Sequence, residues 1–71
     1  MIPRIRELLH NTPFEPFAVR TSDGREYLVP TPDHAAISPK GSYCIVFNDD
    51  ESSTKIASLH VAAIVEQNGQ R

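Results

Sequence analysis

Cysteine is nearly absent from this sequence, which contains a single one, Cys44. One thiol cannot form an intrachain disulfide, and the lack of a cysteine framework favours the reducing cytoplasm as the compartment of the protein. Cys44 itself lies among apolar residues in the middle of a predicted strand. At such a position we expect a buried, inert thiol rather than a nucleophile.

Long hydrophobic runs are also missing. The longest largely apolar run, residues 59–65, is interrupted by His60 and is far too short to span a bilayer. The N-terminal segment, residues 1–10, contains two arginines and lacks the apolar stretch of a signal peptide. No internal repeat, low-complexity tract or long linker divides the chain. We therefore expect one small soluble domain over residues 1–71, with no membrane association.

Positive charge is not in excess, because seven Lys and Arg residues stand against nine Asp and Glu residues, a formal net charge of −2. The negative sign argues against a protein that coats nucleic acid through its overall charge. It does not exclude binding through a local basic patch. A hydrophobic content of 39% is compatible with a folded domain. A chain of this length buries only about 60% of its unfolded surface, so association with a second copy would stabilise it.

The sequence begins with a predicted helix over residues 2–10. Pro3 suits the first helical position, and apolar side chains recur at helical spacing. Asn11 and Pro13 are expected to end the helix. Because so short a helix is not stable alone in water, it must dock on the rest of the chain. Phe14, in the connector that follows, is interpreted as an anchor on the domain, with an exposed binding residue as the alternative.

A β-hairpin is predicted over residues 17–30, because the Asp-Gly pair at residues 23–24 separates two runs of alternating side chains. A two-residue turn places Arg20 opposite Tyr27, where the guanidinium is able to lie over the ring. It also assigns the faces of the two strands. The predicted core face carries Phe17, Val19 and Leu28. The opposite face carries Ala18, Arg20, Tyr27 and Val29.

The rest of the chain reads as further short strands. We predict a strand over residues 34–38 and, after a turn, a central strand over residues 43–48 with apolar side chains on both faces. A fifth strand at residues 54–58 and a tight turn near His60 precede the last strand, and residues 67–71 form a polar tail. One helix followed by five or six strands within residues 17–66 predicts a mainly β fold, a small closed or partly closed barrel.

The sequence offers few residues for catalysis or metal binding. The three histidines, His10, His34 and His60, lack the short spacings of zinc ligands. His34 with Asp33 and Ser38, or Cys44 with a histidine, would supply the residue types of a hydrolase. Neither a nucleophile elbow nor an oxyanion loop surrounds them. We therefore expect no enzyme activity, no small-molecule substrate, and neither a metal nor an organic cofactor.

Several short motifs occur in a familiar order. An N-terminal helix precedes the strand ending VRTSDG at residues 19–24, Asp33 follows the second strand, and LHVAAIV occupies residues 59–65. This order resembles the Sm-like family, and bacterial Hfq in particular. The motifs PF-x-PF at residues 13–17 and DGR-x-Y at residues 23–27 also resemble the opening of short, uncharacterised bacterial proteins.

The resemblance implies an Sm-like or SH3-like small barrel of five or six strands that forms a ring and binds RNA at subunit junctions. His60 matches the histidine of the Lys-His pair with which Hfq contacts RNA. Leu59 replaces the lysine, which removes its phosphate-binding charge. The glycine that bends the second Sm strand is also absent, since residues 27–30 read Tyr-Leu-Val-Pro.

Two hypotheses from different classes follow. The first is a non-enzymatic binding or assembly module that forms a homo-oligomer, with RNA as its candidate ligand. The second is a protein-interaction accessory domain that does not bind nucleic acid, and a small hydrolase is a distant third. The predicted RNA or partner contacts are Arg4, Arg6, Arg20, Tyr27 and His60.

Overall fold

The fold, given by a computed structural model that describes residues 2–66, is mainly β with one N-terminal helix. The elements are α1 (Ile2–Leu9), β1 (Phe17–Thr21), β2 (Glu26–Val29), β3 (Ala35–Ile37), β4 (Tyr43–Phe47), β5 (Ser53–Ala57) and β6 (Val61–Glu66). These bounds confirm the predicted class and the order of elements. The predicted tail at residues 67–71 lies outside the described residues.

The strands form two antiparallel sheets rather than one continuous ladder. The first sheet has the order β2-β1-β6, and the second has the order β3-β4-β5. Among the described residues these two sheets share no strand, so the predicted closed barrel is not confirmed. Residues 30–34 connect them and contain a 3₁₀ turn, Pro32–His34, which begins where Thr31 Oγ1 accepts a hydrogen bond from the Asp33 N–H at 3.2 Å.

Helix α1 docks on the sheets through apolar side chains, predicted as Ile2, Ile5 and Leu9 with Leu8 beside them, but Leu8 takes the buried place expected for Leu9. Ile2, Ile5 and Leu8 are buried in the common core, and Leu9 packs against its border. The helix ends one residue before its predicted boundary, at Leu9. Its burial explains how eight residues hold a helical conformation that they would not hold alone.

The hairpin forms, but the predicted register is wrong by one residue. The Thr21 N–H donates to the Arg25 carbonyl at 2.9 Å, and the Gly24 N–H donates to the Thr21 carbonyl at 2.9 Å. Gly24 adopts a φ of +88°. This is a three-residue loop closed by a left-handed glycine, the common alternative to the two-residue Asp-Gly turn. Val19 therefore pairs with Tyr27.

A shift of one residue exchanges the faces of the second strand. Leu28, predicted in the core, is 60% exposed, whereas Val29 is fully buried. Tyr27 lies on the core side opposite Val19, and Arg20 lies opposite Glu26. The predicted placement of Arg20 over the Tyr27 ring is thus wrong.

The second sheet follows the predicted strands closely. Strand β4 is central, as expected, but it buries only one face. Cys44 and Val46 are in the core, which confirms the predicted burial of the thiol, and this burial raises the pKa of Cys44. Phe14 is confirmed as an anchor, since it packs at the core border with its ring centroid 6.0 Å from that of Phe17.

Candidate binding sites

A cleft opens between the β1–β2 loop, strand β5 and the 3₁₀ turn Ser58–His60, which joins β5 to β6. It has a volume of about 340 Å³, and its walls include Tyr27, Lys55 and His60. The Ser22 N–H donates to the His60 carbonyl at 2.9 Å, which fixes the position of this turn against the hairpin. The cleft thus brings the Tyr27 and His60 rings together with the Lys55 amine.

The charges around this cleft are partly compensated. Lys55 places its Nζ atom 4.3 Å from the centroid of the Tyr43 ring, a cation–π contact within β4 and β5. Asp23 receives hydrogen bonds from the Thr21 hydroxyl and from the Arg25 N–H. These bonds, the Thr21 bond foremost, lower the pKa of the Asp23 carboxyl. Asp23 therefore stays ionised and makes the rim of the cleft acidic on one side.

A larger groove lies between α1 and the turn that joins β3 to β4. It has a volume of about 820 Å³, and its polar walls carry Arg6, His10, Asn11 and Lys40. The turn is held by Ser38, whose buried hydroxyl accepts from the N–H groups of residues 42 and 43 at 3.0 and 3.2 Å. These hydrogen bonds hold the backbone of the turn that carries Lys40.

The structure separates the predicted contact residues into three places. Arg4 and Arg6 line the groove of α1, Tyr27 and His60 line the cleft, and Arg20 lines neither. Their side chains therefore do not converge on one surface within a single chain.

Two of the predicted arginines are occupied by carboxylates. The Arg4 guanidinium lies 2.9 Å from Glu7 and 2.5 Å from Glu66, and Arg20 lies 2.5 Å from Glu26. An arginine that already binds a carboxylate has to exchange this partner before it binds a phosphate. Both are weaker candidates than the sequence pattern indicates.

A third cluster surrounds His34, which is half-buried between the two sheets' loops. Its Nδ1 lies 2.7 Å from the Thr31 hydroxyl, and its Nε2 lies 2.8 Å from Asp49. The hydroxyl of Ser38, grouped with His34 in the hydrolase hypothesis, is instead engaged by backbone N–H groups of its own turn. His34 therefore links the β2–β3 connection to the β4–β5 loop.

The described part of the chain also lacks two kinds of feature. No three or more acidic, histidine or cysteine side chains in residues 2–66 are grouped so as to hold a metal ion. No helix within the same residues is long and apolar enough to cross a membrane.

Sequence reasoning missed Lys40 and Lys55 as site residues. Lys40 had a usable signal, because a lysine between proline and glycine lies at an exposed turn position. Lys55 had none, since the opposite wall of its cleft comes from the β1–β2 hairpin, about 30 residues earlier in the sequence.

Compared with protein-family models, curated proteins and solved structures, the chain gives no match in any of the three.

Proposed function

We propose that this chain is a non-enzymatic binding and assembly module that self-associates as an Sm-like small barrel. One observation carries the proposal. Strands β5 and β6 are adjacent in sequence, yet each lies at the edge of its own sheet among the described residues. Only the turn Ser58–His60 separates them, and Leu59 on this turn is 79% exposed.

The barrel interpretation is supported by the connections between the two sheets. Strands β2 and β3 are joined by a short segment that could serve as the bend of one interrupted strand. On the other side, the His60 carbonyl accepts from the Ser22 N–H, so the end of the second sheet is hydrogen-bonded to the first hairpin. Both sheets bury side chains in the same core cluster.

Open strand edges favour assembly because their outward N–H and C=O groups can pair with another chain. If β5 of one copy pairs with β6 of the next, two different surfaces meet in a head-to-tail contact. Such contacts form a closed ring when the rotation between neighbouring copies returns the last copy to the first. The contact would also cover Leu59 and the half-buried apolar residues of β6, which stabilises a domain of this size.

Solution mass measured by light scattering tests the assembly. We expect a discrete multiple of the monomer mass. Lysine on an edge strand opposes pairing, so Ala62→Lys, at an exposed position of β6, should shift the mass to the monomer. Thr12→Lys adds the same charge in the exposed connector and should leave the oligomer intact. If the wild-type chain is a monomer in solution, the assembly proposal is wrong.

RNA is the candidate ligand of this assembly, and the cleft is the observation that favours it. Tyr27 and His60, both predicted contacts, line the same cavity as Lys55. Rings that stack on bases beside a cation are the usual means of holding single-stranded RNA. Ring assembly would repeat the cleft and multiply its weak contacts.

Retention of a single-stranded RNA oligonucleotide tests this ligand. Binding should weaken steeply with rising salt, and the double substitution Lys55→Ala and His60→Ala should abolish it. Lys40→Ala, on the β3–β4 turn, removes one charge outside the cleft walls and serves as the control. An oligomer that retains no RNA would instead support the protein-interaction accessory domain.

A further inference from the structure

We propose that the groove between α1 and the β3–β4 turn binds the phosphate group of a small phosphate monoester. The proposal goes beyond the assembly and RNA functions, and it starts from the partners of the basic side chains. Among residues 2–66, Arg4, Arg20 and Arg25 each have a carboxylate partner, and Lys55 lies over a tyrosine ring.

Arg6 and Lys40 are the two remaining cations of the described residues, and neither has an ion pair or side-chain hydrogen bond there. Both line the same groove. The chain has more acidic than basic residues, so most of its cations can find a carboxylate partner. If the surface charges served solubility alone, two unpaired cations would not be expected to line the same groove. Their placement leaves positive charge for an outside anion.

The groove is built on a backbone that brings the Arg6 guanidinium close to the turn that carries Lys40. Gly41 follows Lys40 with a φ of +74°, and a methyl group at Gly41 would lie 3.6 Å from Ile2 Cγ2 and 3.9 Å from Arg6 Nη2. The Arg6 guanidinium therefore lies over the turn that carries Lys40. The Gly41 N–H donates to the Ser38 carbonyl at 2.9 Å, which fixes this turn.

The charge of the groove fits one phosphate group better than an extended polyanion. A phosphate monoester carries about −1.5 to −2 charges at neutral pH, which two cations balance. Along the same wall the positive charge ends at Arg4, because Glu7 also lines the groove and is paired with Arg4, which binds Glu66 as well. A longer phosphate chain would meet these carboxylates.

The other walls supply what an ester needs besides the cations. The Asn11 amide and the His10 ring lie at the C-terminal end of α1, where they can hydrogen-bond phosphate oxygens. Exposed Pro3 and Pro39 offer apolar surface to the organic part of the molecule. Guanidinium and ammonium groups bind phosphate oxygens through charge-assisted hydrogen bonds.

Titration of the full chain with phenyl phosphate, followed by backbone amide NMR shifts, tests the site. We expect saturable shifts at residues 6, 10, 40 and 41. Phenyl sulfate has the same shape with a single negative charge and should bind more weakly. Arg6→Gln and Lys40→Gln should each weaken phenyl phosphate binding about tenfold. Arg25→Gln, outside the groove, should leave the affinity unchanged.

The possible outcomes are decisive in both directions. Saturable shifts confined to the groove and lost in either variant would support the site. Absence of saturable shifts in the wild-type chain, or equal affinity in Arg6→Gln and Lys40→Gln, would overturn it. A single-stranded oligouridylate that shifts these amides while phenyl phosphate does not would show a nucleic-acid backbone site instead, and would overturn the monoester proposal. Because both comparison ligands are tested on the wild-type chain, a variant that fails to fold does not decide the result.

Discussion

The central strands of the two sheets differ in how well their outer faces are covered. In β1, Phe17, Ala18 and Val19 are all at most 1% exposed. In β4, Cys44 and Val46 are buried, whereas the outward side chains are half-buried or, at Phe47, 37% exposed. Both strands carry apolar side chains on both faces, and the outer face of β1 also carries the exposed Arg20. Hydrophobicity alone therefore does not explain why Ala18 is covered and Ile45 is not.

The sizes of the cross-strand neighbours explain it better. Ala18 is a small residue between Leu28 and Val65, its partners on β2 and β6, which shield its methyl group. In β4 the sizes are reversed, since Ile45 stands between Ala36 and Lys55. A large side chain between a small one and a charged one remains in contact with water. The outer face of β4 is therefore more open at Ile45 than the outer face of β1 is at Ala18.

The largest expected effect separates the two phenylalanines of this comparison. Phe17→Ala should lower the free energy of unfolding by about 3–5 kcal/mol, because it leaves a cavity in the core. Phe47→Ala, at the exposed end of β4, should cost about 1 kcal/mol or less. Urea unfolding followed by circular dichroism measures both. Similar losses would break the distinction between the two sheets.

The loops of the two sheets provide a smaller effect. Gly24 has open space around an added methyl group, so Gly24→Ala should cost only the left-handed conformation, about 1–2 kcal/mol. Gly41→Ala should cost a similar amount, since its nearest contact at 3.6 Å is an ordinary one. Gly24→Asn should cost less, because asparagine adopts this conformation more readily. The same urea assay applies, and a neutral Gly24→Ala would contradict the three-residue loop.

The smallest effect concerns one aspartate in each sheet's loop. Hydrogen bonds lower the pKa of Asp23, through Thr21 first, and of Asp50, through Ser52, below the ordinary value of 3.8. Each folded-state pKa is lower than in the unfolded chain, so the stabilisation is present above pH 3.8 and is lost as the pH falls through the folded value. Asp23→Asn and Asp50→Asn should each flatten this acid-side fall in the urea midpoint. An unchanged pH profile in both variants would show that neither carboxyl is coupled to folding.

Helical and strand periodicity predicted most of the elements of the fold. The helical recurrence of Ile2, Ile5, Leu8 and Leu9 is a local pattern, although the choice of Leu8 over Leu9 for the core is made by packing. The strand boundaries near residues 43–47 and 53–57 follow equally from alternation and from the polar loops between them. These features depend on neighbours in the chain, which the sequence displays directly.

The hairpin register and the sites could not be predicted in this manner. Two-residue and three-residue loops both accommodate Asp-Gly, and the choice depends on whether Val29 or Leu28 fills the core. Similarly, the cleft joins Tyr27 to His60, and the groove joins Arg6 to Lys40, across long stretches of sequence. The sequence predicted some of these residues as contacts, but it did not predict which of them lie together.

The sequence by itself determined the helix, the six strands and the buried thiol, because side-chain period and turn residues act over a few positions. Tertiary structure alone decided which face of β2 is buried, which cations are neutralised by carboxylates, and which remain available on a common groove. The physical reason is that burial and charge pairing depend on which distant segments meet in space.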